Sequence, residues 1–523
     1  MREHRAPSRE PPLRFGLTIL ALATLAIHLA TLSRYGFYGD ELYFLACFKH
    51  LAWGFADQPP LVPLISGLAS VFPNPLFGMR LLPAIAAALT TLVAAAMARE
   101  FGAGRFGQVV AATATALMPA SLFLGNTLTT TSFEPLMWSL TILLAIKIAR
   151  GSRRVEGGAS WQLPALILIV AIAAYVKYSI FLLVAALAIG ALLARNAKLA
   201  LRVALAGLAS LALLAPNIAW QAMHGFPMLA VLHGDMAGRH AWNGGLQVDY
   251  SGTLRSAAAF GVEQLLYAGP VAAVLWIAGI AALVRRSELR AAAFIGVAYV
   301  IGVAAAIALL AKGYYLIGFY PALFAAGAVW LERLPSIAKR AYTAVFLAAS
   351  VVVAPLALPV LPVDSLIAYT HAFGAPPKLI QPLFADEFGW EELTRAVAVS
   401  YYTLPAAIRA RTPIFADTYG DAAALAYFGP RYRLPAPISA QDQYYLWGTR
   451  GYALSRMLAV GASEYRTLRR FYRNVTMLGT YTDPYRWVLE GPTPIYLCTD
   501  PVVPLSKIWP ALKWFGEYGR AVH

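Results

Sequence analysis

The feature that most constrains this chain is a succession of apolar runs, most of them 15 to 23 residues long, separated by short loops rich in Arg and Lys. A helix of about twenty apolar residues matches the hydrocarbon thickness of a bilayer. Within a membrane such a helix satisfies its own backbone donors and acceptors. Composition agrees, with 59% of the 523 residues hydrophobic and 13% charged, where soluble domains carry about 25% charged residues. The pattern predicts an α-helical polytopic membrane protein with about 11 transmembrane helices. Candidate spans are 15–32, 78–98, 107–124, 133–149, 162–176, 179–194, 203–220, 262–284, 291–311, 314–331 and 341–360.

Charge orients the spans. The segment before the first run holds Arg2, Arg5, Arg9 and Arg14, and the run itself, Phe15 to Leu32, lacks a small-residue cleavage site. It is read as a retained first span with a cytoplasmic N-terminus. The loops then expected to be cytoplasmic hold Arg99 and Arg105; Lys147, Arg150, Arg153 and Arg154; Arg195, Lys198 and Arg202; Arg285, Arg286 and Arg290; and Arg333, Lys339 and Arg340. The opposite loops hold fewer bases: Arg34, Lys49, Arg80, Lys177, Arg239, Arg255 and Lys312. This asymmetry accounts for the net charge of +16 without nucleic acid, since no basic stretch is interleaved with aromatics on a soluble module. Cys47 and Cys498 are too few for a disulfide framework or a Cys-rich metal site.

An odd number of spans places the C-terminal segment outside. Residues 361–523 are polar, rich in Tyr and Pro, and lack a run long enough to span. The division expected is a membrane domain, 1–360, and an extracytoplasmic α/β domain, 361–523. In the second, Phe388 to Tyr401 reads as an amphipathic helix, Pro413 to Tyr419 as a strand, and Asp421 to Phe428 as a helix. Tyr485 to Glu490 and Ile495 to Cys498 read as strands around Gly491-Pro492.

Acids are scarce in the membrane region, so their positions are informative. Asp40 and Glu41 follow the first span, and Asp57 lies in Trp53-Gly-Phe-Ala-Asp-Gln-Pro-Pro-Leu61. Between them, Leu42 to Leu51 can lie along the membrane interface as an amphipathic helix. Carboxylates near bilayer depth are costly and usually functional. Glycosyl transfer from a phospholipid-linked sugar needs a carboxylate to take the acceptor proton, cations to stabilise the departing phosphate, and a groove for the lipid tail. An outer-loop Asp meets the first need, and Arg80 and Lys312 at outer span ends meet the second. Lys177, at the turn of a short helical pair, is a topology anchor or a third phosphate contact. His224, His233 and His240 have no compact metal spacing, and no metal site is expected, although a requirement for a divalent ion stays open. Asp417, Asp421 and Asp442 read as turn and cap residues.

Several segments carry a family likeness. Gly39-Asp40-Glu41-x-Tyr43-Phe44, Asp57-Gln58-Pro59-Pro60-Leu61 and Phe133-Glu134-Pro135-Leu136-Met137-Trp138 resemble bacterial members of glycosyltransferase family 39, which belong with the protein O-mannosyltransferases and aminoarabinose transferases. Val176-Lys177-Tyr178-Ser179, Pro216-Asn217-Ile218-Ala219-Trp220, Lys312 to Pro321, Asp386 to Glu392 and Tyr444 to Gly448 continue it in order. The resemblance implies a GT-C fold, a polyprenyl-phosphate sugar donor and transfer with inversion. Asp40 inherits the catalytic role, with Glu41 beside it, and Glu134 falls near a second outer-loop acid. Asp57 falls where the aminoarabinose transferases have an acid-Lys-Pro-Pro motif, but Gln58 replaces the Lys and removes a cation. The expected partners are a lipid-linked sugar, an envelope acceptor (lipid, glycan or protein) and membrane lipid, in a bacterial cytoplasmic membrane. A transporter or flippase of lipid-linked glycans, with charges at mid-membrane, and a non-catalytic envelope scaffold are the rival readings.

Overall fold

The computed structural model describes residues 14–151, 161–241, 253–309, 311–374, 382–461, 465–485 and 492–516. Of the bases used to orient the chain, Arg2, Arg5, Arg9, Arg153 and Arg154 lie outside these residues, as do the side chains of Arg14, Arg239 and Arg255; the side chain of His240 also lies outside them. The chain divides into two compact units. One comprises Met1–Leu32, Arg80–Pro216 and Gly252–Val360, and the other Ser33–Met79, Asn217–Ser251 and Leu361–His523.

Each expected apolar run falls on helix, but three are interrupted where the backbone cannot continue. Run 107–124 divides into Arg105–Leu117 and Pro119–Leu124, with Met118 extended between them, as a residue preceding proline prefers. Run 203–220 breaks at Leu214, between Ala197–Leu213 and Ala215–Met223. Run 262–284 becomes two helices, Phe260–Ala268 and Ala272–Arg285, bent by 109°. Gly269 sits there at φ +89, and Pro270 has no N–H to carry the ladder on. Among the described residues, Pro75–Glu100, Ser287–Ala308, Gly313–Glu332 and Ser336–Leu356 are long and apolar enough to cross a bilayer, and two bent pairs qualify as single spans. The chain is a multi-pass membrane protein. On Ser336–Leu356, Ile337 is 80% and Val351 73% exposed, an apolar face suited to lipid rather than water.

Small residues let the helices of the first unit approach closely. A Cβ added at Gly279 would run into the Leu323 carbonyl, and one at Gly327 into the Leu275 carbonyl. The helices Ala272–Arg285 and Tyr320–Glu332 are therefore packed backbone to backbone. Trp138 is buried against Gly318 and meets the Phe319 ring edge-on at 5.4 Å, so it is a packing residue.

The second unit holds a four-stranded sheet. Its strands are β1 (Ile414–Ala416), β2 (Arg456–Val460), β3 (Tyr472–Tyr481) and β4 (Thr493–Pro501), in the order β1-β2-β4-β3. β1 and β2 are parallel and the other pairs antiparallel, with Leu458 opposite both Ile414 and Leu497. Trp390–Tyr402 and Tyr419–Phe428 are the expected helices, shifted slightly, and β4 contains the expected Ile495–Cys498 strand. The strand read at Tyr485 to Glu490 lies outside the described residues beyond Tyr485, as does Gly491. β2 and β3 are additions to the sequence reading. Cys47 and Cys498 are both free and buried.

Replacing Gly327 by Val should lower stability by about 1–3 kcal/mol through overpacking. Gly261→Ala, where an added Cβ meets nothing within 4 Å, should not. Thermal unfolding of the detergent-solubilised chain by intrinsic fluorescence distinguishes the two.

Candidate active site

The acids expected to do chemistry sit in the second unit, at and near the start of one short helix, Gly39–Phe48. Asp40 and Glu41 occupy its first turn, where the exposed amide ends favour negative charge. Glu41 turns back to accept from the Tyr38 backbone amide at 2.9 Å and is fully buried, the reciprocal half of an N-terminal cap. The Gly39 amide donates to Asp386 Oδ2 at 2.9 Å. A Cβ at Gly39 would press on that carboxylate and on the Trp390 ring. Asp40 Oδ1 accepts from the Tyr419 hydroxyl at 2.8 Å.

Asp57 rides on a turn that is held from several sides. Phe55 N donates to Gln58 O at 3.0 Å. Asn217 Nδ2 donates to Trp53 O at 2.8 Å, Gln221 Nε2 to Phe55 O at 2.9 Å, and the Ala56 amide to Gln443 Oε1 at 2.9 Å. The Tyr43 hydroxyl then donates to Asp57 Oδ1 at 2.7 Å. Burial pushes the Asp57 carboxyl up to about 7; the hydrogen bonds from Tyr43 and backbone oppose the rise, and Asp40 and Asp235 add to it. Burial also raises the Tyr43 phenol well above its usual range, with Asp57 adding to the effect. The Tyr43 ring lies 4.6 Å from that of Tyr419 and 6.2 Å from that of Tyr444. Two Tyr–Asp pairs thus stand side by side.

Two details differ from the sequence reading. The helix expected to lie half exposed at the interface is buried on nearly all sides: Gly39 and Glu41 to Cys47 are all inside. It packs against Tyr419–Phe428, a helix from the polar C-terminal segment. Gln58 is also buried, directing its amide to Cys47 Sγ at 3.9 Å. Asp235, Asp386, Tyr419 and Gln443 join this centre from distant positions, and the only sequence signal for them was Asp386 in a quoted family segment. Of the outer acids, Asp421 lies in a first turn capped by Thr418, whose hydroxyl accepts from the Asp421 amide at 3.0 Å. Asp442 adopts φ +46 and accepts from the Gly516 amide at 2.9 Å.

The expected cations and the second acid lie in the first unit, Arg80 at its border. Lys177 ends the helix Gln162–Val176 in an extended conformation, a position that suits a cation. Its ammonium donates to Thr131 Oγ1 at 2.7 Å and to Glu134 Oε2 at 3.1 Å. It also lies 4.8 and 4.7 Å from the Tyr314 and Tyr315 ring centres, within cation–π range. Ser179 donates to the other Glu134 oxygen. Glu134 is 4% exposed and opens the helix Glu134–Gly151. Arg80 is fully buried and donates from Nη1 to the Leu32 carbonyl at 2.8 Å, just beyond the end of the first helix. Lys312 is partly buried and immediately precedes the Gly313–Phe319 turn. His224 stacks on Trp220 at 4.0 Å. The described residues contain no group of three His, Cys, Asp or Glu arranged to hold a metal ion.

Residues 57–220 match the family model described as dolichyl-phosphate-mannose-protein mannosyltransferase. No curated protein sequence matches the chain. Two solved structures are similar along nearly the whole length. The apo form of ArnT from Cupriavidus metallidurans has a TM-score of 0.61 and 15% identity, covering 92% of this chain and 98% of that one. The same protein bound to undecaprenyl phosphate has a TM-score of 0.59 at the same identity and coverage. The fold is GT-C.

Two outcomes follow from these contacts. A carboxyl whose folded pKa is raised binds its proton more tightly in the native state, so its contribution to stability declines as pH rises from roughly 4 to about 7. Thermal midpoints of wild type minus Asp57→Asn should therefore fall between pH 4.5 and 7.5; a flat difference would mean that Asp57 titrates normally. Glu134→Ala strands a mostly buried ammonium and should cost about 3–5 kcal/mol, whereas Glu134→Gln with Lys177→Met should recover most of that loss in the same unfolding measurement.

Proposed function

We propose that this chain transfers a sugar from a polyprenyl-phosphate donor to a hydroxyl of an envelope acceptor, at the outer face of a bacterial cytoplasmic membrane. The pairing of Asp40 with Asp57 carries this reading. Two carboxyls in one network, one of them raised by burial, are a frequent mark of an acid–base site. Asp57, raised by burial to about 7, retains much of its proton near neutrality. Asp40 serves as the base.

The chemistry is a single displacement. Asp40 takes the proton of the acceptor hydroxyl as its oxygen attacks the anomeric carbon. The bond from that carbon to the phosphate oxygen breaks, the phosphate leaves with the electron pair, and configuration inverts. Asp57 and Glu41 organise the site, Glu41 by fixing the start of the helix that carries Asp40. Arg80, Lys177 and Lys312 take up the negative charge on the departing phosphate. Glu134 keeps Lys177 in place until a phosphate competes for it. The family model spanning Asp57, Arg80, Glu134 and Lys177, and the undecaprenyl phosphate held by a protein of the same fold, support a lipid-phosphate donor. Residues 361–523 belong on the outer face with the acids, and residues 1–360 form the membrane domain.

Purified protein in nanodiscs, given a panel of radiolabelled polyprenyl-phosphate sugars and an envelope extract, should transfer label. Asp40→Asn should reduce transfer by about 10²–10⁴-fold, the range of a lost general base. Undiminished transfer by Asp40→Asn would place the base elsewhere, and no transfer from any donor by wild type would contradict the reading.

A further inference from the structure

We propose that Tyr419, from the polar C-terminal segment, is a positioning residue for the Asp40 carboxylate, so that this segment completes the acid centre. The inference rests on the reading of Asp40 as the base. The Tyr419 hydroxyl donates to Asp40 Oδ1 at 2.8 Å across 379 positions of sequence. Such a reach requires that Tyr419 itself be fixed, and it is. Tyr419 is the first residue of the helix Tyr419–Phe428, whose start is capped by Thr418. Its amide donates to Gln441 Oε1 at 2.6 Å. The adjoining Gly420 lies beneath the Trp390 ring, and Trp390 in turn donates from Nε1 to the Asp386 carbonyl at 2.7 Å. Asp386 also accepts from the Gly39 amide through its carboxylate. The residue before Asp40 and the phenol that holds Asp40 are therefore tied to the same stretch of the C-terminal segment.

The arrangement has a chemical purpose. A carboxylate with no donor can rotate, and when partly desolvated it readily takes up a proton. Like charge lies nearby: Glu41 follows on the same helix, Asp57 is raised by the Asp40 and Asp235 charges, and Asp386 accepts from the Gly39 amide. Further titratable groups of the centre among the described residues include the phenols of Tyr43 and Tyr444, the thiol of Cys47 and the Asp442 carboxyl, whose charge acts on Tyr43. The Tyr419 hydroxyl supplies a donor to the ionised form of Asp40. It holds Oδ1, while the ring packs on Tyr43, whose own hydroxyl donates to Asp57. Each acid has its own phenol.

The test uses the full chain in nanodiscs and does not depend on turnover. A hydrophobic carbodiimide labels carboxyls in their protonated form, and peptide mass spectrometry reads the site. Arg34 and Lys49 bracket Asp40, and Lys49 and Arg80 bracket Asp57, so the two acids fall on separate tryptic peptides. Tyr419→Phe keeps the ring against Tyr43 and removes only the donor. The Asp40 labelling midpoint should move to higher pH by about one unit, as expected for loss of a hydrogen bond to the charged form, while Asp57 labelling shifts less. With an active donor, kcat should fall about tenfold or more with KM for the lipid little changed, and the acidic limb of the pH profile should move upward. An unchanged Asp40 midpoint in Tyr419→Phe overturns the inference, whatever the activity. A shifted midpoint alongside full transfer by Asp40→Asn would leave the contact standing but remove the base reading on which its catalytic meaning rests, and so overturn the inference as well.

Discussion

Taking a carboxylate out of water costs several kcal/mol unless a donor meets it, and that constraint orders both compact units. Asp40 is met by Tyr419, Asp57 by Tyr43, and Glu41 by the Tyr38 amide. Asp386 is met by the Gly39 amide, and Glu134 by Lys177 and Ser179. None of these donors is incidental to its surroundings. Tyr43 belongs to the buried helix that starts at Gly39, and Lys177 stands at a helix end where its charge opposes the exposed carbonyls. Each donor meets part of a carboxylate's demand, which is why the donors deserve mutation as much as the acids do.

The two units use different chemistry to meet that constraint. In the second, a neutral phenol donates to each of Asp40 and Asp57 without cancelling its charge; burial, with the Asp40 and Asp235 charges adding to it, raises the Asp57 carboxyl to about 7. In the first, Glu134 is matched by a full ammonium, itself flanked by Tyr314 and Tyr315. A matched pair suits a cation that must wait in a dry place for an anionic ligand. On the proposed reading the phenol-held acids handle the proton and the ammonium handles the phosphate. Gln58 extends the contrast: where the resemblance expects a Lys, a buried amide addresses a thiol, and no cation is added beside the acids.

Much of this was legible in the sequence, for physical reasons. A run of twenty apolar residues has few alternatives to a helix, so the helices were readable, and acids are conspicuous in such a background; of the eleven expected spans, four helices and two bent pairs among the described residues are long and apolar enough to cross a bilayer. The breaks were less so. Pro119, Pro216 and Pro270 are each present in the sequence, but proline inside a membrane helix is often tolerated, and only the packed structure shows the 109° bend at Gly269. In the sheet, β2 reads Arg456-Met-Leu-Ala-Val460, a short apolar run that fits helix or strand equally, while β3 mixes Arg, Asn, Thr and Gly with its Tyr and Val. The partners of the acids were the least legible. Tyr419 is one of 27 tyrosines, and nothing local distinguishes it. Its task is set by a contact with a residue near the other end of the chain.

An experimental structure of the full chain with undecaprenyl phosphate would show directly where the lipid phosphate binds. The phosphate should lie within hydrogen-bonding distance of Lys177, with the Glu134–Lys177 contact loosened as the ammonium turns to its new partner. A lipid phosphate bound away from Lys177, with the Glu134 pair intact, would contradict it.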